Sequence, residues 1–167
     1  MITMQPVVEV TWSDVVALSG RMTREEFDVV VGPDLVDELL HEEMVILAGG
    51  VRVSDTSTGL RIEPGCCFGL ENWRDWAGVL DGEVSWLGHS PAPGVERADG
   101  VLRLWRDESR RDEPACEFPL ADLPGHLEGV RQDLIAFLGL LRAWAPDGLG
   151  ERLAAAFDHH FHVSPPL

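Results

Sequence analysis

A long apolar repeat near the carboxyl end of the chain sets the first requirement on its fold. Apolar residues recur there every three or four positions over about five helical turns, which places them along one face of a single helix. The residues concerned are Leu127, Val130, Leu134, Phe137, Leu138, Leu141 and Trp144. Since such a face must be covered, the rest of the chain has to supply a second layer. A shorter helix is predicted after the break at 146–148, from Leu149 to Phe157.

The upstream chain is predicted to form short strands with a few helices between them. Thr23 and Glu26 have the spacing of a capping box at a helix start. Asp99-Gly100 predicts a tight hairpin, because both residue types tolerate the backbone angles that such a turn needs. We therefore expect an α+β fold with a mainly antiparallel sheet of about five or six short strands. Helices, including the two C-terminal ones, would pack on it in a single domain over residues 1–167.

Two patterns that contain glycine predict further detail. Gly49-Gly50 interrupts a predicted strand over residues 45–53, which indicates a bulge or a close approach of two backbones. Apolar residues from Leu70 to Leu80 have helical spacing, and Asp81-Gly82 is typical of a helix end. We expect a helix there that buries Trp73.

The charge of the chain excludes some classes of partner. It carries 29 acidic residues against 13 basic ones, all arginine, for a formal net charge of −16 at pH 7. Nucleic acids and anionic membrane surfaces both bind basic faces, so we expect neither as a partner. No positive side chain precedes Arg21, so no signal peptide is predicted. Three cysteines, two of them adjacent, do not suit a disulfide framework, which favours the cytoplasm.

Acidic residues are densest over residues 23–43, which we call the acidic segment. Eight carboxylates lie there beside one arginine, Arg24. On amphipathic helices they would share the solvated side, where they serve either solubility or the docking of a basic protein. By analogy with bacterial immunity and antitoxin proteins, or regulatory proteins, we expect a non-catalytic acidic protein that binds a basic protein partner. The carboxylates assigned to docking are Glu25, Glu26, Asp37, Glu38, Glu42 and Glu43.

Six tryptophans and no tyrosine make up an unusual aromatic set. Most of them are expected in the core. Tryptophan also anchors interfaces, because its ring is large and its N–H needs a partner. Trp76, at the edge of the predicted helix, and Trp86 are assigned to a surface groove that binds the partner. An alternative is a structural subunit whose tryptophan-bearing face forms a homodimer.

The C-terminal histidines support a second function. His159, His160 and His162 form the densest group of candidate metal ligands, and two of them share a face in either a helix or an extended chain. His126 or His89 would have to supply a third ligand. The alternative prediction is a small metal-dependent enzyme or a metal sensor that holds a divalent ion there. No other cofactor is expected, and the histidines can equally cap a helix end.

Two other segments resemble catalytic motifs in part. Cys66-Cys67 precedes a predicted helix, where a thiol can have a lowered pKa, although most cysteines of this kind are inert core residues. Residues 88–92 resemble the Gly-x-Ser-x-Gly turn of α/β-hydrolases around Ser90. Ala92 replaces the final glycine and prolines flank the turn, so a surface loop is the better interpretation.

The stretch from Gly65 to Gly82, followed by Trp86-Leu-Gly-His89, resembles an uncharacterised family of small intracellular bacterial proteins. The resemblance covers the middle of the chain. It implies a compact intracellular domain, and it assigns neither an activity nor a catalytic residue.

Overall fold

The computed structural model describes residues 1–11, 14–83, 86–89 and 92–167. The helices are α1 (Arg24–Val30), α2 (Pro33–His41), α3 (Leu123–Trp144) and α4 (Leu149–Phe161), with a 3-10 helix over Leu70–Asp81 and a 3-10 turn over Leu120–Asp122. The strands are β1 (Ile2–Glu9), β2 (Val15–Ala17), β3 (Gly49–Asp55), β4 (Leu60–Ile62), β5 (Gly94–Ala98), β6 (Val101–Trp105) and β7 (Cys116–Pro119).

The strands form two antiparallel sheets. The larger one has the order β2-β1-β3-β4, and the smaller one has the order β5-β6-β7. Side chains alternate along β3, where Val51 and Val53 are buried and Arg52 between them is turned outward. In the smaller sheet, Asp99 and Gly100 have φ angles of 53° and 76°, which are the angles of a tight hairpin turn. Strand β7 lies against β1, β3 and β4, so the two sheets share one core.

The predicted α+β class is confirmed, and the arrangement of its strands differs in part from the expectation. The described residues contain seven strands in two sheets, rather than about five or six in one. Strand β2 folds back on β1, with Val8 opposite Val16. The predicted helix over residues 70–80 is present as a 3-10 helix and ends at Gly82, which has a φ angle of 88°.

The first of the two C-terminal helices covers the larger sheet, as the apolar repeat required, and the second packs against the first. Helix α3 packs on β1 and on α4, and α4 also contacts α2. Three fully buried rings join these elements. Phe157 lies 5.1 Å from Phe137 and 4.4 Å from Phe161, measured between ring centroids. None of the described helices is both long and apolar enough to cross a membrane.

Two buried indoles on the 3-10 helix differ in hydrogen bonding. The Nε1 atom of Trp73 donates to the carbonyl oxygen of Phe161 at 2.8 Å, and this bond ties the helix to the end of α4. The Nε1 atom of Trp76 is also buried, but it has no hydrogen-bond partner among the described residues. Burial of an unpaired N–H costs free energy, so the two tryptophans contribute differently to stability.

We expect Trp73→Phe to lower the free energy of unfolding by about 1–2 kcal/mol more than Trp76→Phe. Both substitutions remove the same atoms from a buried position. The free-energy cost of the cavity is therefore nearly the same in the two variants and cancels when they are compared. Only Trp73→Phe leaves a buried carbonyl without its donor, whereas Trp76→Phe removes an unpaired N–H. Urea denaturation of the two variants measures the difference. An equal loss in both would show that the Trp73 hydrogen bond adds nothing to stability.

Candidate functional site

The acidic segment folds as helices α1 and α2, joined at Val31 and Gly32. The predicted capping box starts α1: the Thr23 hydroxyl accepts from the Glu26 amide, and the Glu26 carboxylate accepts from the Thr23 amide at 2.8 Å. Phe27, Leu35 and Leu39 turn toward the core. All eight carboxylates of the segment are therefore left exposed.

Few of these carboxylates are neutralised within the chain. Asp28 accepts from the Arg24 side chain at 2.7 Å, and Asp37 lies 2.9 Å from the His41 ring nitrogen. Glu26 is used by the capping box. The other five have no ion-pair or hydrogen-bond partner for their side chains in the part of the chain that the structure describes. These five are Glu25, Asp34, Glu38, Glu42 and Glu43.

Accessible apolar residues lie close in sequence to these unpaired carboxylates. A groove of about 270 Å³ opens at the first turn of α1, and its lining includes Met22, Phe27, Leu140 and Trp144. After α2, Met44 and Ile46 are 73% and 65% exposed, and both lie within four residues of the unpaired carboxylates of residues 42–43. A polar rim around apolar contacts is the usual composition of a protein interface.

The two tryptophans assigned to a partner-binding groove have different positions. Trp76 is only 1% exposed, so the expectation that it lies at the surface is wrong. The 3-10 winding, with three residues per turn, keeps Trp73 and Trp76 on the same inward face. Trp86 is 55% exposed, and its ring lies 6.1 Å from the rings of both Phe68 and His89. Trp86 therefore lies beside Phe68 and His89, and it does not line the groove at α1.

Two thiols and an imidazole meet beside Trp86. The side-chain ligand atoms of Cys66, Cys67 and His89 all lie within 4.8 Å of one another, and all three side chains are exposed. We call this group the thiol–imidazole cluster. It is the only set of three such ligands brought together among the described residues. No pattern in the sequence indicates that the two cysteines and His89 meet.

A short backbone ladder produces this juxtaposition. The Cys66 amide donates to the His89 carbonyl at 2.9 Å, and the His89 amide donates back at 3.0 Å. Gly88 has a φ angle of 94°, and a Cβ atom there would lie 2.5 Å from the Gly65 carbonyl carbon. Only glycine allows the two segments to come this close.

Backbone conformation also brings the adjacent thiols together. Consecutive side chains of an extended chain point in opposite directions. Cys67 instead has a φ angle of 65°, in the left-handed region, and its sulfur lies 3.3 Å from that of Cys66. Such a conformation is unfavourable for a residue with a Cβ atom, and it persists only where the surrounding structure enforces it.

The cluster does not favour a reactive thiolate. The hydrogen bond from Cys67, and then its charge, raise the pKa of the Cys66 thiol above its usual range, and burial and Glu9 act in the same direction. A thiol activated by the following helix would show the opposite change. The prediction of a nucleophilic cysteine with a lowered pKa therefore has no support at Cys66.

The C-terminal histidines lie at the end of α4. The rings of His159 and His160 are 5.5 Å apart, and His162 has a left-handed φ angle of 50° where the helix stops. Burial, and then the charge of His159, lower the pKa of His160. The structure brings neither His89 nor His126 to them within ligand distance. The divalent metal site at these residues stays a prediction.

Beyond α4 the chain folds back over the protein and is held by two arginines. Arg74 donates to the carbonyl oxygens of His162, Pro165 and Pro166, the first at 3.1 Å from its Nε atom. Arg131 donates to those of Val163, Ser164 and Pro165. We call residues 162–166 the tail. Both arginines bind its main-chain carbonyl oxygens, and the amide and hydroxyl of Ser164 donate to the Asp158 carboxylate.

Two features of the sequence fall on residues that the structure does not describe. The Ser90 turn that resembles a hydrolase motif includes Ser90 and Pro91, which lie outside the described residues. The same holds for Trp12, one of the six tryptophans. Comparison of the chain with family models, with curated proteins and with solved structures finds no match.

Proposed function

We propose that this protein binds a basic protein partner through the acidic segment. The carrying observation is that five exposed carboxylates of the acidic segment lack any partner within the described chain. Uncompensated like charges close together in the chain repel one another, and a basic partner relieves that repulsion. The same charges accelerate association at low salt and disfavour acidic competitors.

Apolar contacts supply the affinity that charge alone does not. Carboxylates at the rim of an interface mainly control its association rate and salt dependence. Met44, Ile46 and the groove at α1 can bury apolar side chains of the partner, which is the larger source of binding free energy. The partner is thus a basic protein with exposed apolar residues, such as the target of an immunity or antitoxin-type protein.

The test uses a variant in which the charge of four unpaired carboxylates is reversed: Glu25→Lys, Glu38→Lys, Glu42→Lys, Glu43→Lys. Glu26 is left in place because its reversal would break the capping box and confuse binding with folding. The probe is a synthetic peptide of arginine and leucine. We expect its dissociation constant to rise at least about tenfold at low salt, and the salt dependence to flatten.

A matched control variant distinguishes the effect of the acidic segment from the effect of the net charge. The variant Asp75→Lys, Asp81→Lys, Glu108→Lys, Asp112→Lys changes four exposed carboxylates elsewhere. Both variants change the net charge from −16 to −8, since each reversal adds two positive charges. Equal loss of peptide binding in both would show that net charge, not the acidic segment, attracts the probe, and the proposal would be wrong. Circular dichroism confirms that each variant is folded.

A further inference from the structure

We propose that Cys66, Cys67 and His89 form a binding site for zinc, or for a thiophilic ion of the same size and charge. The three ligand atoms lie within 4.8 Å of one another, although His89 follows Cys67 by 22 positions along the chain. The proposed site uses other residues than the acidic segment, and it does not depend on the proposed function.

The backbone is built to hold these three side chains together. The reciprocal hydrogen bonds between Cys66 and His89 fix the two segments in register. Gly88 permits the close approach, and the left-handed conformation of Cys67 turns its thiol toward that of Cys66. A left-handed conformation is ordinary for glycine but uncommon for a residue with a Cβ atom such as Cys67. Strained backbone conformations of non-glycine residues concentrate at ligand sites.

The distances suit tetrahedral coordination. With zinc–sulfur bonds of about 2.3 Å, two tetrahedral sulfur ligands lie about 3.8 Å apart. The Cys66 and Cys67 sulfurs are separated by 3.3 Å, so they need to move apart by about half an ångström. All three side chains are exposed, which lets small rotations about their side-chain bonds make this adjustment without repacking the core.

The donor set selects the class of ion. Two thiolates and one imidazole are ligands for zinc and other thiophilic metals, whereas magnesium, calcium and manganese prefer oxygen ligands. Two thiolates close together repel each other, and a divalent cation between them cancels their charge.

Three protein ligands leave the fourth tetrahedral position open. Zinc sites with three ligands bind water or another small ligand at that position, whereas structural zinc sites have four protein ligands. The exposed Trp86 ring packs edge-on against His89 at 6.1 Å and limits the movement of the imidazole. The ion would therefore be held at the surface, accessible to a ligand from solution.

The affinity for zinc itself provides the test. Reduced, untagged protein competes for Zn²⁺ with a chromophoric chelator, and we expect one zinc per chain. Even groups that only orient a metal ligand contribute about 10–100-fold to affinity. Cys66→Ser and His89→Gln should therefore each weaken zinc binding at least about a hundredfold, and Mg²⁺ should not compete. With Co²⁺ as the probe, wild type should give a sulfur-to-metal charge-transfer band that Cys66→Ser lacks.

Two control variants make the test specific. Cys116→Ala removes the third cysteine, which is buried in β7, and it should leave zinc affinity unchanged. The triple variant His159→Ala, His160→Ala, His162→Ala should also bind zinc as wild type does. If the triple variant loses the zinc and Cys66→Ser keeps it, the metal lies at α4 and the proposal is wrong. Wild type that binds zinc no more tightly than Cys66→Ser would also contradict it.

Discussion

Replacing Phe157 by alanine should lower the free energy of unfolding by about 3–5 kcal/mol. Phe157 is fully buried in α4, and its ring lies between those of Phe137 in α3 and Phe161 one turn later. Truncation removes the contact that joins the two C-terminal helices and leaves a cavity that neighbouring rings cannot fill. Urea denaturation followed by circular dichroism measures the loss.

The same helix provides the control for this substitution. Arg152 is exposed on α4, so Arg152→Ala should change stability by less than about 0.5 kcal/mol. Phe157→Leu keeps most of the buried volume and should cost much less than Phe157→Ala. A loss below about 1.5 kcal/mol for Phe157→Ala would mean that the α3–α4 contact relaxes around the cavity.

Gly49→Ala should destabilise the protein by about 3–5 kcal/mol, through two effects that act together. Gly49 has a φ angle of 146°, which residues with a side chain rarely adopt. A Cβ atom there would lie 2.1 Å from the carbonyl oxygen of Val7 in the paired strand β1. Because that contact is with backbone, the central pair of strands must separate. Thermal or urea unfolding measures the loss.

Gly59→Ala separates the two effects. Gly59 also has a left-handed φ angle, of 75°, but a Cβ atom there would meet nothing within 4 Å. This variant should therefore cost only about 1 kcal/mol, the price of the backbone conformation alone. If Gly49→Ala costs no more than Gly59→Ala, the close approach of β1 and β3 is not the reason for glycine at residue 49.

Local chemistry made much of the fold predictable. The capping box at Thr23 and the hairpin at Asp99-Gly100 each depend on neighbouring residues only, and both were predicted correctly. The C-terminal helices followed from apolar spacing alone. The paired glycines indicated a close approach of backbones, which Gly49 confirms against Val7.

Pairings that are distant in sequence were not predictable in this way. Whether Trp76 is buried depends on 3-10 rather than α winding, which shifts its direction relative to Trp73. The thiol–imidazole cluster depends on a two-residue ladder between loops that carry no strand pattern. The left-handed Cys67 has no sequence signal, since cysteine gives no indication of a positive φ angle. Gly88 was the one residue that could have suggested a close approach.

The last three residues of the chain are held by contacts that do not depend on their own side chains. Arg74 and Arg131 bind main-chain carbonyl oxygens of the tail, which every amino acid supplies. Prolines at residues 165 and 166 have no N–H, so they add acceptors without donors that would compete. Among natural variants of this chain, the exposed side chains at 165–167 can therefore vary widely, whereas Val163 is buried and Ser164 donates to Asp158. Substitution of Arg74, Arg131 or Asp158 would loosen the tail.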